Sequence, residues 1–224
     1  STEVGRKIRY ETAGTGKSLT LELGGKSPYI VFDDADIDSA IEGLVDSIWF
    51  NQGQVCCAGS RLLVHETIAK KFYKKLKFRM NRLRIGDPLD KSIDMGAIVD
   101  PKQLNAVTKL VNKNAHEGKV YQPDIKMPTK GCYYPPTLIT EMEPSASLMQ
   151  EEIFGHVLVS TTFRTPDEAI ALANNSKYGL AASIWTEKIN LALGIAPTLK
   201  CGVVWINSVN QFDAAVGFGG KRES

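Results

Sequence analysis

Asn51-Gln52-Gly53-Gln54-Val55-Cys56-Cys57-Ala58-Gly59-Ser60-Arg61 joins two unlike residue patterns. Before it, Ile37, Ile41, Leu44, Val45 and Ile48 recur at helical spacing. Asp33, Asp34 and Asp36 load acid onto the start of that helix, where the dipole favours negative charge. After it, Arg61 to His65 is a β-rich run, with Leu62, Leu63 and Val64 marking a buried strand. The stretch is therefore a turn from helix into strand, and two adjacent thiols sit on it. Such a turn can hold a side chain out for chemistry. A structural cysteine is more often a small buried hydrophobe, and the Cys56-Cys57 pair alone leaves both readings open.

The same alternation of strand and helix continues in both directions. Pro28 to Phe32 reads as a short strand. Residues 67–84 read as a helix with Ile68, Phe72, Leu76, Met80 and Leu83 as its apolar stripe. Asp100-Pro101 supplies N-cap and N1 signals for another helix, with Leu104, Val107, Leu110 and Val111 inward and Gly118 as its end. Val157 to Phe163 is a strand, and Thr165, Pro166 and Glu168 start a short helix. A last helix covers roughly 187–197, and Val203 to Asn207 is read as a final buried strand. Strands alternating with helices imply right-handed crossovers, so the fold class is α/β, a mostly parallel open sheet with helices on both faces.

Bulk properties narrow the function. At 224 residues the chain can bury a substantial core. A net charge of +2 argues against nucleic acid as a partner. The Lys70, Lys71, Lys74, Lys75, Lys77 and Arg79 cluster reads as the solvated face of its helix. No apolar run approaches the ~20 residues that span a bilayer, so no membrane role is expected. Cys56, Cys57, Cys132 and Cys201 do not make a disulfide scaffold, and reduced thiols point to a cytoplasmic location. His65, His116 and His156 show no metal-ligand spacing, so no metal is expected. Gly14-Thr15-Gly16-Lys17-Ser18 is not a P-loop, because that pattern needs Gly five residues before Gly16 and position 11 is Glu.

A second segment, Leu21-Glu22-Leu23-Gly24-Gly25-Lys26-Ser27-Pro28, places one acid in an apolar run before a glycine pair. Together the two segments closely resemble the aldehyde dehydrogenase superfamily. Its acid motif LELGGKSP is intact at 21–28, and its thiol motif NQGQ-x-C-x-AGSR is matched at 51–61 with Cys56 in the nucleophile's place. The family's separation of 34 residues between acid and thiol is also kept. Tyr133 to Leu138, Glu151 to Val157, Asn174 to Ala181 and Phe218 to Ser224 resemble further family segments, so the likeness runs over essentially the whole chain. One departure is His156, where the family has proline. Trp205-Ile206-Asn207, Phe212 and the C-terminal stretch resemble the family-16 branch, some of whose members have lost catalytic residues, although the thiol motif here is intact.

The resemblance implies oxidation of a small-molecule aldehyde to a carboxylic acid with NAD or NADP. Cys56 would attack as thiolate, passing through a thiohemiacetal and a thioester, and Glu22 would activate the water that hydrolyses the thioester. An acid in an apolar run is expected to be buried, which would raise its pKa toward neutrality. Ser1 and Gly5 match the phosphate-binding turn, Leu23 the backbone that meets the nicotinamide amide, Glu152 the ribose carboxylate and Phe154 the aromatic beside the nicotinamide. Residues 1–20 look like a remnant of the cofactor-binding domain, with the rest of that domain and the C-terminal tail absent. Residues 1–224 would then be a catalytic domain fragment from a homo-oligomeric parent, with little activity alone. The competing expectation is a non-catalytic module of the same fold that binds or scaffolds.

Overall fold

A computed structural model describes residues 1–224. Its centre is a seven-stranded sheet. In chain order the strands are β1 (Pro28–Val31), β2 (Arg61–His65), β3 (Lys119–Tyr121), β4 (Thr137–Thr140), β5 (Val157–Phe163), β7 (Ala181–Trp185) and β8 (Val203–Ile206). Their spatial order is β3-β4-β5-β2-β1-β7-β8. Every neighbouring pair is parallel except β3 and β4. A separate ribbon pairs β6 (Tyr178–Gly179) with β9 (Lys221–Arg222).

Parallel strands need crossovers, and the helices supply them. They are α1 (Thr2–Thr12), α2 (Ile37–Ile48), α3 (Glu66–Met80), α4 (Pro101–Asn114), α5 (Ser147–Gln150), α6 (Pro166–Asn174) and α7 (Ile189–Ile195). Side chains alternate along each strand, so the sheet separates two cores. Ile30, Leu63 and Val159 meet Val107 of α4, Ala169 of α6 and Ala192 of α7 on one face. Tyr29, Val31, Leu62 and Val64 meet Leu44 of α2 and Phe72 of α3 on the other. The two clusters hold 23 and 22 buried residues, so the sheet is the middle layer and helices cover both faces.

The expected helix starts hold, and each is capped by a side chain. Asp36 Oδ1 accepts from the Asp38 and Ser39 N–H groups at 2.9 and 3.1 Å. Asp100 Oδ1 accepts from Gln103 N–H at 2.7 Å, and Thr165 Oγ1 from Glu168 N–H at 3.2 Å.

Two expectations need correction, and one strand was not anticipated. The helix read over 67–84 ends at Met80, yet Leu83 and Ile85 stay buried and continue its apolar contact from irregular backbone. Val203 to Ile206 is an edge strand in which only Trp205 is buried, because nothing in the chain pairs with its outer side. Strand β3, antiparallel and largely exposed, gave no apolar run to read. No helix is long and apolar enough to cross a membrane.

Candidate active site

Three segments converge where strands begin: residues 21–27 before β1, 51–60 before β2 and 151–156 before β5. All three lie at amino ends, whereas ligands in open α/β sheets usually lie beyond the carboxyl ends. Adjacent strand starts bring them together. Arg61 N–H donates to Ser27 O at 3.3 Å, and Val159 N–H to Ser60 O at 3.0 Å.

The thiol turn is tightly constrained. After α2, Asn51, Gln52 and Gly53 all adopt left-handed backbone, with φ of 46°, 59° and 69°. Only glycine fits at 53, since a Cβ would overlap the Gly155 carbonyl. Two non-glycine residues in this region carry strain, which tends to cluster at functional sites. Asn51 Nδ2 donates to Gln54 O at 3.0 Å, and Gln54 Oε1 accepts from Val99 N–H at 3.1 Å. Buried Ser47 of α2 accepts from Gly59 N–H at 2.8 Å, tying the far end of the turn to the helix.

This turn leaves Cys56 half-buried and Cys57 buried. The Cys56 thiol is lowered to about 7, first by the Cys57 thiol and next by the Cys57 backbone N–H. Partial burial and the charge of Glu22 act against that lowering. Cys57 moves the other way, held far above the usual thiol range by the Cys56 sulfur and by burial. Its thiol also lies 3.5 Å from Asn210 Oδ1. The two sulfurs are thus divided into one that ionises and one that donates.

The opposite wall is the segment before β5. Glu152 Oε1 accepts from Gly25 N–H at 3.0 Å, and a Cβ on Gly24 would fall on the same carboxylate. Burial raises the Glu152 pKa and the Gly25 N–H partly offsets it. Phe154 has φ 54° and remains 37% exposed. Gln103 Nε2 donates to the Ile153 and Phe154 carbonyls at 3.2 and 2.9 Å, holding that strained loop in place.

A cleft of about 420 Å³ lies between these walls, with Ser1, Leu23, Gly24, Cys56, Glu152 and Phe154 in its lining. Gly5 does not line it, but packs so closely against Leu23 that a Cβ would clash with that side chain. Ser1 caps α1, its Oγ accepting from Val4 N–H at 3.4 Å.

Glu22 departs from expectation. It is exposed, not enclosed by its apolar neighbours, and it does not line the cleft. Residues 18–27 belong to no helix or strand, and Leu21 and Leu23 are only half-buried, so no apolar wall closes over the acid. Its Oε1 lies beside Gly219, 3.4 Å from where a Cβ would stand, yet its charge still reaches Cys56.

His156 is wholly buried, and the loop holds its course without proline. Nδ1 donates to Tyr134 O at 2.5 Å, His156 O accepts from Thr137 N–H at 2.8 Å, and Nε2 has no partner. Burial pushes this imidazole down to about 4.

Two contributors gave no sequence signal, Gln103 and Asn210, and a third, Ser224, lies in a segment matched to the family but was assigned no role. Ser224 Oγ donates to Gly24 O at 2.6 Å and accepts from Gly179 N–H at 3.0 Å, locking the glycine pair from 200 residues away.

A doubly covered parallel sheet with a low-pKa thiol beside a carboxylate-lined cleft defines a class, and comparison with known proteins names it. The chain belongs to the aldehyde dehydrogenase family, whose model matches residues 1–224. It is 40% identical to a mitochondrial benzaldehyde dehydrogenase of Antirrhinum majus, covering 100% of this chain and 42% of that protein. It is 42% identical to retinal dehydrogenase 2 of Mus musculus, covering 100% of this chain and 44% of that one. Among solved structures it resembles an NAD-dependent aldehyde dehydrogenase from Sinorhizobium meliloti, with TM-score 0.96, 37% identity, and coverage of 100% and 45%. An aldehyde dehydrogenase from Bacillus cereus in complex with NAD+ gives TM-score 0.94, 38% identity, and coverage of 100% and 46%. The chain therefore spans less than half the length of these relatives.

Proposed function

We propose that this chain carries the catalytic portion of an enzyme that oxidises an aldehyde to a carboxylic acid, with Cys56 as nucleophile and Glu22 as base. One juxtaposition supports this most: a half-buried thiol lowered to about 7 opens into the same cleft as Glu152 and Phe154. About half of such a thiol is thiolate at pH 7, against a few per cent for an ordinary one.

The residues present fit NAD or NADP. Glu152 keeps Oε2 free of hydrogen bonds to accept from ribose hydroxyls, and the absence of a Cβ at Gly24 keeps that carboxylate in place. Phe154 would lie beside the nicotinamide, the Leu23 backbone at its amide and Ser1 at the pyrophosphate. Residues 1–20 fit this cofactor side, since Ser1 at the cap of α1 lines the cleft. When bound, the nicotinamide would supply a hydride acceptor.

In the proposed sequence, Cys56 Sγ bonds to the carbonyl carbon and the carbonyl electron pair moves to oxygen. That oxyanion needs a donor. The Cys56 N–H is used in no backbone hydrogen bond and would serve. Once the hydride has left, the carbon is held as a thioester on Cys56. Glu22 then takes a proton from water, and the resulting attack on the thioester frees the carboxylic acid and the Cys56 thiolate. The exposure of Glu22 gives it direct access to that water.

An activated ester tests the two roles without any cofactor, because p-nitrophenyl acetate acylates a thiolate directly. Cys56→Ala should abolish p-nitrophenol release above background. Glu22→Gln should keep the initial burst and slow the steady rate by about 100-fold, the usual worth of a general base. Release unaffected by Cys56→Ala would overturn the assignment of the nucleophile. Loss of the burst in Glu22→Gln would move that residue into the first step.

A further inference from the structure

A second, smaller cavity lies at the start of β1 and β2, and the proposed chemistry does not use it. Its lining includes Lys26, Ser27, Arg61 and Lys200, and contains no aspartate or glutamate. Lys26, Ser27 and Arg61 are 1%, 4% and 2% exposed. Each carries a buried polar atom with no hydrogen-bond partner: Lys26 Nζ, Ser27 Oγ and Arg61 Nε.

The guanidinium cannot turn away. Arg61 Nη1 donates to Leu172 O at 2.8 Å and Nη2 to Ala173 O at 2.7 Å, so Arg61 is fixed at the carboxyl end of α6 with Nε left over. The nearby carboxylates do not supply the missing acceptor. Glu152 is bonded to Gly25 N–H and lines the cleft, and Glu151 pairs with Lys177 at 3.6 Å. Burial and the charge of Arg61 push Lys26 down to about 7, with Glu152 and Glu151 opposing. Buried charges are normally paired, and orphaned donors are costly, so this cluster calls for an occupant.

About 10 Å³ is open to it, room for one water-sized species and too little for phosphate or sulfate. A water would have to accept from both Lys26 Nζ and the fixed Arg61 Nε and still place two hydrogens of its own. A halide has no hydrogens to place, accepts from every side and brings the compensating charge.

We propose that this cavity binds a chloride-sized monovalent anion, held by Lys26 Nζ, Arg61 Nε and Ser27 Oγ. The occupant gives Lys26 its counter-charge immediately after Gly25, the residue whose N–H positions Glu152.

The test uses the whole 224-residue chain. Crystals soaked in sodium bromide should show an anomalous peak within hydrogen-bonding distance of Lys26 Nζ. In solution, sodium chloride should raise the melting temperature by roughly 3–6 °C over sodium gluconate at equal ionic strength, the shift expected when chloride is at about ten times its Kd. Lys26→Met, which keeps the apolar stem, should erase the difference between the two salts. An ordered water only, with no bromide peak, would overturn the proposal. So would identical melting in chloride and gluconate for the unaltered chain, whether or not Lys26→Met folds.

Discussion

The carbonyl oxygen of Cys56 lies against the α-carbon of Gly25, so close that a methyl group there would overlap it. The second glycine of the acid motif is therefore the floor on which the thiol turn rests. Its N–H meanwhile holds Glu152, so one residue without a side chain fixes both walls of the cleft.

Gly25→Ala tests that arrangement. Pushing a methyl group into backbone should cost about 1–3 kcal/mol of stability, as overpacking does in close-packed interiors. The thiol should also lose its lowered pKa as the turn shifts. Thermal melting and the pH profile of Cys56 alkylation read the two effects separately. An unaltered alkylation profile would mean that the turn is supported from elsewhere.

Cys57 is expected to set the reactivity of its neighbour. Cys57→Ala removes the leading cause of the lowered Cys56 pKa. Alkylation by iodoacetamide at pH 7 should slow by about tenfold for each unit regained toward the ordinary value. Cys57→Ser keeps a donor and should recover most of the rate. Equal slowing in both variants would show that packing, not hydrogen bonding, is what Cys57 provides.

His156 should make the fold sensitive to acid. Its folded-state pKa, about 4, lies below the ordinary 6.5, so between those values the unfolded chain binds the extra proton. Stability therefore falls as pH drops from about 6.5 to about 4, by on the order of 3 kcal/mol in all. His156→Pro should flatten this slope and costs no ladder hydrogen bond, since His156 N–H has no backbone acceptor. Denaturant melts at pH 7, 5.5 and 4.5 measure the difference. The same slope in both proteins would place the acid sensitivity in other groups.

Much of this was readable from residue order. Helix α2, the acid at its start, the turn at Gly53 and strand β2 follow from local spacing and turn chemistry, because each element carries its own pattern. Cys56, Leu23, Glu152 and Phe154 were found through motifs, and the cleft gathers all four. What could not be read depends on distant chain. Gln103 sits on the half-buried side of α4 like any helical glutamine, and its role exists only because the Phe154 loop docks there. Asn210 matters through Cys57, and the role of Ser224, though its segment matched the family, exists only through Gly24, both partners far away in sequence. The expected burial of Glu22 failed for a related reason. Apolar neighbours in sequence enclose an acid only if the chain folds them over it, and residues 18–23 run along the surface before the chain turns inward at Gly24.

The thiol turn, the glycine pair and the Phe154 loop gather at the amino ends of the strands, and the other rim of the sheet is tied by side-chain bonds of its own. There Asp34 ties Thr186, Glu187 and Lys188, and Glu66 meets Arg164, far along the strands from the sulfur. The cleft and these ties thus occupy opposite edges of one sheet. A protein engineer can toughen one edge, or graft a label onto it, without retuning the other.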